Sequence, residues 1–393
     1  MRALDDVDVV SLGQIYNGPY CSLMLAYLGA DVVKVEPPDG ENLRFRDDGG
    51  HFTPETCMLN STKDSVTLNL KADRGKELFK DLVAEADVLV ENYRVGAMED
   101  LGLGYETLSD INPELIYAHG SGYGEYGPYR DRPAMDLTVQ AMTGVMDTTG
   151  FPENPPVKTG VQVGDFMGGI HLFGAIVSAL YQRERTGEGQ FVEVAMMDAV
   201  YPTMMSPMGA YYRTPEAPPR TGNHHSGLAL APYNVYEAAD GWVAIICSSN
   251  RHWDRLAPIL GREDLADNED YATHEKRSNK MEEIDNLVEE WTIERERDEI
   301  VDILLEGGVP VAPVQERNEV LFDPHLEARD MVNEIDHPHI GEVRVPGLPM
   351  KLHGSEDPEI RPAQVEGESN EEVYGALGLT EDEIRELADA GII

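Results

Sequence analysis

The chain opens with short β-branched runs that alternate with segments of helical period. Val7 to Leu12 reads as a strand, Cys21 to Leu28 as a helix stopped at Gly29, and Asp31 to Val35 as a second strand. Val66 to Leu70 alternates like a strand, Asp73 is placed to cap a helix running to Ala84, and Val88 to Val90 is again apolar and extended. After the Asn112-Pro113 break a further strand is expected at Leu115 to Ala118. Repeated βαβ units of this kind predict an α/β fold with a mainly parallel, helix-covered sheet, Rossmann-like in architecture.

Farther on, Gly168 to Arg185 reads as a long apolar helix, and Thr186 to Gly189 as a turn into the strand Phe191 to Val194. Proline and glycine gather between Pro207 and Gly227, the expected linker. Tyr233 to Ile246 then reads as a hairpin around Asp240-Gly241, followed by charged helices to Glu306. The predicted organisation is a large domain over 1–206, a linker or active-site loop over 207–228, a small α+β domain over 229–322, and a C-terminal segment, 323–393, returning to the large domain. Thr380 to Glu383 carries a capping-box pattern for a last helix.

Charge narrows the partners. Asp and Glu number 73 against 31 Lys and Arg, a net charge of -42, which repels nucleic acid and anionic lipid. The acidity is spread along the chain and 41% of residues are hydrophobic, so a folded, strongly solvated surface is expected rather than disorder. Arg outnumbers Lys by 22 to 9, which fits a salt-loaded cytoplasm. The fold is therefore expected to weaken in dilute buffer, where like charges are poorly screened; a melting temperature independent of salt would contradict this. Cys21, Cys57 and Cys247 are isolated and predict neither disulfides nor a thiolate metal site. The start of the chain lacks signal-peptide blocks, and the apolar stretch Ile170 to Tyr181 is short for a bilayer, so a cytoplasmic protein without a membrane partner is expected.

Several chemistries lose support. Gly13 and Gly18 do not have dinucleotide-binding spacing, Pro19-Tyr20 stands where a P-loop needs Lys-Ser/Thr, and no Ser lies in G-x-S-x-G. What remains is Gly164-Asp165-Phe166-Met167-Gly168-Gly169 at the head of the apolar helix. Helix N–H groups stabilise a carboxylate there, and on spacing alone Asp165 reads first as an N-cap.

An ordered set of segments shifts that balance. Asn17-Gly18-Pro19, Leu28 to Glu36, Val66 to Lys71, Glu91-Asn92-Tyr93-Arg94, Gly164-Asp165, Gly187 to Gln190, Asp323-Pro324-His325 and Ala328-Arg329 together resemble the class III CoA-transferases over nearly the whole chain. The resemblance implies an interlocked homodimer, acyl-CoA and small carboxylic acids as substrates, and no permanently bound cofactor or metal. It implies Asp165 as a covalent nucleophile and Asp136 as a residue shaping the site. Contacts to CoA are implied for Tyr16, Asn17, Leu68, Asn69, Leu70, Lys71, Asn92, Tyr93, Arg94, Arg132, Ala134 and Met135. Pro37, Ser61, Asp64 and Asp100 depart from the cationic residues of relatives. Gly222 to Gly227 resembles a loop covering the site, and its His224 and His225 are candidates for a distal substrate carboxylate. The family's range makes succinyl-CoA and a dicarboxylate such as mesaconate the expected donor and acceptor. The alternatives are an α-methylacyl-CoA racemase, for which Met135 stands where a proton-moving His is needed and His119 or His225 would have to substitute, and a non-catalytic CoA-binding protein.

Overall fold

The computed structural model describes residues 1–46, 52–216 and 218–393. These form two compact units, Met1–Met142 with Val161–Pro202 and Leu321–Ile393, and Thr143–Gly160 with Thr203–Val320. The stretch expected to be one large domain, 1–206, is thus interrupted, because 143–160 packs with the later residues. Gly150 accepts from the Gly222 N–H (2.9 Å), and Asp147 takes Arg220.

The first unit is built on β1 (Asp8–Ser11), α1 (Asn17–Tyr27), β2 (Asp31–Glu36), α2 (Pro54–Asn60), β3 (Asp64–Thr67), α3 (Asp73–Glu85), β4 (Val88–Glu91), α4 (Ala97–Leu101), α5 (Tyr105–Ile111), β5 (Ile116–Ser121), α6 (Asp136–Met142), α7 (Val163–Thr186) and β6 (Gln190–Ala195). The six strands are all parallel, in the order β3-β2-β1-β4-β5-β6. Alternate strand residues feed opposite cores. Val10, Leu12 and Leu89 pack with Leu78 and Phe79 of α3, while Val9, Val88 and Ile116 pack with Leu25 of α1 and Leu172 and Ile176 of α7. Strand order reverses between β1 and β4, and a crevice opens there beyond their carboxyl ends, where such sheets hold ligands.

Local chemistry moves several boundaries. The first helix starts at Asn17 rather than Cys21, since Pro19 lies in its first turn, where its missing N–H costs nothing. Strand β3 ends at Thr67, leaving Leu68 to Lys71 as a strand-end loop. Asp73 is the first residue of α3 and not its cap; Ala72 precedes it without a side-chain bond. Pro207 opens no linker, because it sits in the first turn of the helix Met205–Arg213. Ala217, also within the expected linker, lies outside the described residues. The hairpin strands Tyr233–Ala238 and Gly241–Ile246 of the second unit turn through Ala239-Asp240. The box at Thr380 and Glu383 forms with both bonds present.

The C-terminal residues close the free edge of the sheet. The Tyr374 hydroxyl donates to Thr67 O (2.7 Å) and the Asn69 N–H to Ile392 O (2.7 Å). Helix α7, 24 residues long, is apolar and long enough by composition to cross a membrane, which the shorter stretch Ile170 to Tyr181 had not implied. In this unit it is a packing helix, seated against α1, β5 and β6.

Candidate active site

Two cavities adjoin at the strand-order reversal and share Gln14 and Tyr93 in their walls. The outer, about 580 Å³, is lined by Leu12, Val35, Leu68, Asn69, Leu70 and Lys71 among others. The inner, about 480 Å³, takes in Asn17, Asn92, Arg94, Arg132, Ala134, Met135 and Asp165. Of the twelve positions expected to touch CoA, eleven line one or both cavities. Tyr16 lines neither; its hydroxyl accepts from Arg46 Nη1 (3.0 Å).

The floor of the inner cavity depends on three glycines and one asparagine. Asn17, 2% exposed, donates from Nδ2 to the Asp165 carbonyl (3.3 Å). A Cβ on Gly120 or Gly168 would come within 2.2 Å of its amide, and one on Gly169 within 2.7 Å of its carbonyl oxygen. Glycine at these places lets α1 and α7 meet closely enough for Asn17 to reach Asp165. Gly13 and Gly18 likewise press backbone on backbone, with a Cβ on Gly18 2.7 Å from Gly13 Cα, so both places require glycine for loop packing.

Asp165 lies in the first turn of α7, whose N-cap is Gln162 without a side-chain bond; Asp165 is therefore not the cap. That task falls to Asp136, whose Oδ1 accepts the Gly164 N–H (2.7 Å) while Oδ2 accepts from Gln140 Nε2 (2.6 Å). Asp136 thus caps the helix that carries Asp165 as well as opening its own. Burial pushes Asp165 up to about 7, the Asp136 charge adds to the rise, and Arg46 opposes it. A carboxylate poised near neutrality on a cavity wall is suited to nucleophilic or proton-transfer chemistry.

Sequence reasoning missed Arg46, Gln14 and Ile15. Ile15 holds φ 63°, a left-handed conformation that costs a β-branched residue about 1–3 kcal/mol. It is held there by Glu41 Oε2, which accepts its N–H (3.0 Å), and Glu41 is in turn paired with buried Lys34 (2.5 Å). The signal available in the sequence was a lysine set between the valines of β2, Lys34 between Val33 and Val35.

The departures from cationic residues are occupied locally. Asp100 pairs with Arg94 (2.5 Å), Asp64 with Arg361 (3.1 Å), and Ser61 bonds the Tyr27 hydroxyl (2.8 Å). Pro37 lines the outer cavity, where Lys71 is the cationic side chain. His224 and His225 belong to the second unit. There His224 Nε2 meets Asp285 Oδ2 (2.6 Å) and its Nδ1 meets Thr221 O (3.2 Å), so both ring nitrogens hold the loop in place. His225 packs edge-on to Tyr233. Among the described residues no group of three or more His, Cys, Asp or Glu is placed to hold a metal.

Residues 4–364 match the family described as CoA-transferase family III. The chain belongs to that family. It is 38% identical to a formyl-CoA:oxalate CoA-transferase of Streptomyces coelicolor, over 100% of this chain and 99% of the relative. It is 40% identical to a succinyl-CoA:mesaconate CoA-transferase of Haloarcula marismortui, with 90% of each chain covered. A crystal structure of a CAIB/BAIF family protein from Brucella suis superposes with TM-score 0.85 at 34% identity, covering 96% of this chain and 99% of that one. The protein is thus a family III CoA-transferase, an enzyme whose substrates are CoA thioesters.

Proposed function

We propose that the protein moves CoA from succinyl-CoA to a C5 dicarboxylate such as mesaconate through covalent intermediates on Asp165. The observation that carries the covalent role is the partly buried Asp165 carboxylate on the wall of the inner cavity, with a second cavity continuing past Gln14 and Tyr93. A CoA thioester is long, and this arrangement lets its acyl end reach Asp165 while the nucleotide lies in the apolar outer cavity beside Lys71.

In the proposed sequence an Asp165 oxygen attacks the thioester carbonyl, the C–S bond breaks, and CoA thiolate leaves behind an aspartyl-acyl anhydride. The thiolate then attacks the Asp165 carbonyl carbon and releases the donor acid as its carboxylate. The acceptor carboxylate attacks the resulting aspartyl-CoA thioester, giving a second anhydride, and the thiolate collects the acceptor acyl group and frees Asp165. No external base is needed, because the nucleophile is an anion. Excluding water protects the anhydrides.

The succinyl and C5 choices are supported by the Haloarcula relative; the Streptomyces relative supports formyl-CoA and oxalate as the competing pair. Incubation in concentrated KCl with each donor and a panel of acids, read as new CoA thioesters by mass, separates them. Transfer to mesaconate supports the proposal, and transfer to oxalate alone overturns the substrate choice. The racemase reading is disfavoured by His119, which is 2% exposed with both ring nitrogens engaged, and by Met135 on the cavity wall. Hydrogen exchange at the α-carbon of a branched acyl-CoA without transfer would restore it.

The raised Asp165 titration predicts a pH profile. Only the ionised form attacks, so transfer is expected to fall as pH drops through about 7 and to level off above it. Asp136→Asn removes the like charge yet keeps an oxygen for the Gly164 N–H. Its acid limb is expected at lower pH, and an unmoved limb would show that Asp136 does not tune the nucleophile.

A further inference from the structure

Beneath the wall common to both cavities lies a buried polar cluster that the proposed chemistry does not use. His119, near the end of β5, presents Nδ1 to Glu125 Oε1 and Nε2 to the Tyr93 carbonyl (3.1 Å), with Glu91 Oε1 3.6 Å from Nε2. Both hydrogen-bonded partners are acceptors. A neutral imidazole has one N–H and can satisfy only one of them, whereas the imidazolium satisfies both.

The cluster grips two loops. Glu91 closes β4, and its Oε2 accepts the Tyr93 N–H (2.8 Å) while its Oε1 accepts from the Tyr117 hydroxyl (3.3 Å). Tyr93 is therefore held at its N–H by Glu91 and at its C=O by His119. On the other side Glu125 donates its N–H to Glu193 of β6 (2.7 Å), and its carbonyl accepts from Arg130 Nε (2.9 Å). This fixes the end of β5 and the turn after it, where Ser121, Gly122 and Tyr123 line the inner cavity.

We propose that His119 is a positioning residue for the CoA thioester, its doubly protonated ring tying the Tyr93 wall of both cavities to the turn after β5. This rests on the reading of the two cavities as the thioester site. Burial opposes the charge on His119, but Glu91 and Glu125 outweigh it and hold its titration up at about 9. Burial pushes Glu91 up to about 7 against the pull of His119, and His119 holds Glu125 low. The groups facing the ring are thus Glu91 from β4, Tyr117 on its own strand and Glu125 from the turn, with Arg130 and Glu193 bonded to the Glu125 backbone. Because the His119 titration is raised, the clamp is intact at neutral pH and is lost as pH rises through about 9.

The test is the calorimetric Kd of acetyl-CoA, which has no free thiol to titrate, from pH 7 to 10, alongside KM and kcat. Wild-type affinity is expected to hold to about pH 8 and to weaken about tenfold by pH 10, the size of one charge-assisted hydrogen bond. His119→Gln is expected to bind about tenfold more weakly already at pH 7.5, with no further loss to pH 10. Its kcat at saturation should stay within about threefold, as befits a residue acting on binding. Glu125→Gln, at the more exposed end, removes a carboxylate that sustains the charge, so its alkaline limb should move to lower pH; this variant also serves if His119→Gln does not fold. Folded variants with wild-type Kd and an unmoved limb overturn the proposal. Absence of acetyl-CoA binding in the wild type would instead remove the cavity reading, and this inference with it.

Discussion

Asp165→Ala is expected to reduce CoA transfer about 10⁴-fold or more while leaving the fold in place, because it removes the carboxylate proposed to carry the covalent intermediates. Asp165→Asn adds a sharper test, since it keeps the size and loses the charge. The folded titration of Asp165 is raised to about 7 from its ordinary value of 3.8, so the folded state favours its protonated form. As pH climbs from about 4 through 7, ionising Asp165 therefore costs stability, and the neutral variant escapes that cost. At pH 8 Asp165→Asn should be inactive and melt several degrees above the wild type, an exchange of stability for function. Melting curves at pH 4 and 8 check it: the gain should be present at pH 8 and absent at pH 4.

The largest expected loss of stability follows Arg44→Met. Arg44 is 0% exposed and grips Glu36, 2% exposed, through Nη2 to Oε1 (2.6 Å) and Nε to Oε2 (2.8 Å). Burial alone would raise Glu36, but Arg44 and Lys34 outweigh it and hold its titration at about 2. Removing the guanidinium strands a buried carboxylate at the edge of the outer cavity, which costs about 3–5 kcal/mol. Because the Glu36 titration is lowered, the pair's contribution is present above about pH 4.5 and lost as pH falls toward 2. Denaturant unfolding at pH 7 should show the loss, and adding Glu36→Gln should recover much of it. If Arg44→Met alone were neutral, the ion pair would not be what holds this wall.

Much of the fold was legible because it rests on periodicity. Strands at Val9 and Val10, Val32 and Val35, and Val88 to Val90 carry apolar residues on both faces, which only a sheet covered on both sides accommodates. Asp165 was marked as the candidate nucleophile by the family resemblance, since its local pattern, a carboxylate among glycines at the head of a helix, reads first as an N-cap. Gly168 and Gly169 make room for Asn17, which no local pattern reveals. Less legible were contacts between residues remote in sequence. Asp136 caps a helix 28 positions away, and the Lys34, Glu41 and Ile15 chain binds three separate segments. Nor could spacing foretell that 143–160 would leave the first unit, since its contacts are made with residues beyond 200.

The central claim is that Asp165 becomes covalently bonded during transfer. The most direct measurement is to mix the enzyme with succinyl-CoA in concentrated KCl, quench it in acid, digest it, and weigh the peptide containing Gly164-Asp165-Phe166. A mass increase equal to an acylated or CoA-bearing aspartate on that peptide, absent in Asp165→Ala, is the predicted result. Product formation at a normal rate with that peptide never modified, even on rapid quenching, would contradict the account.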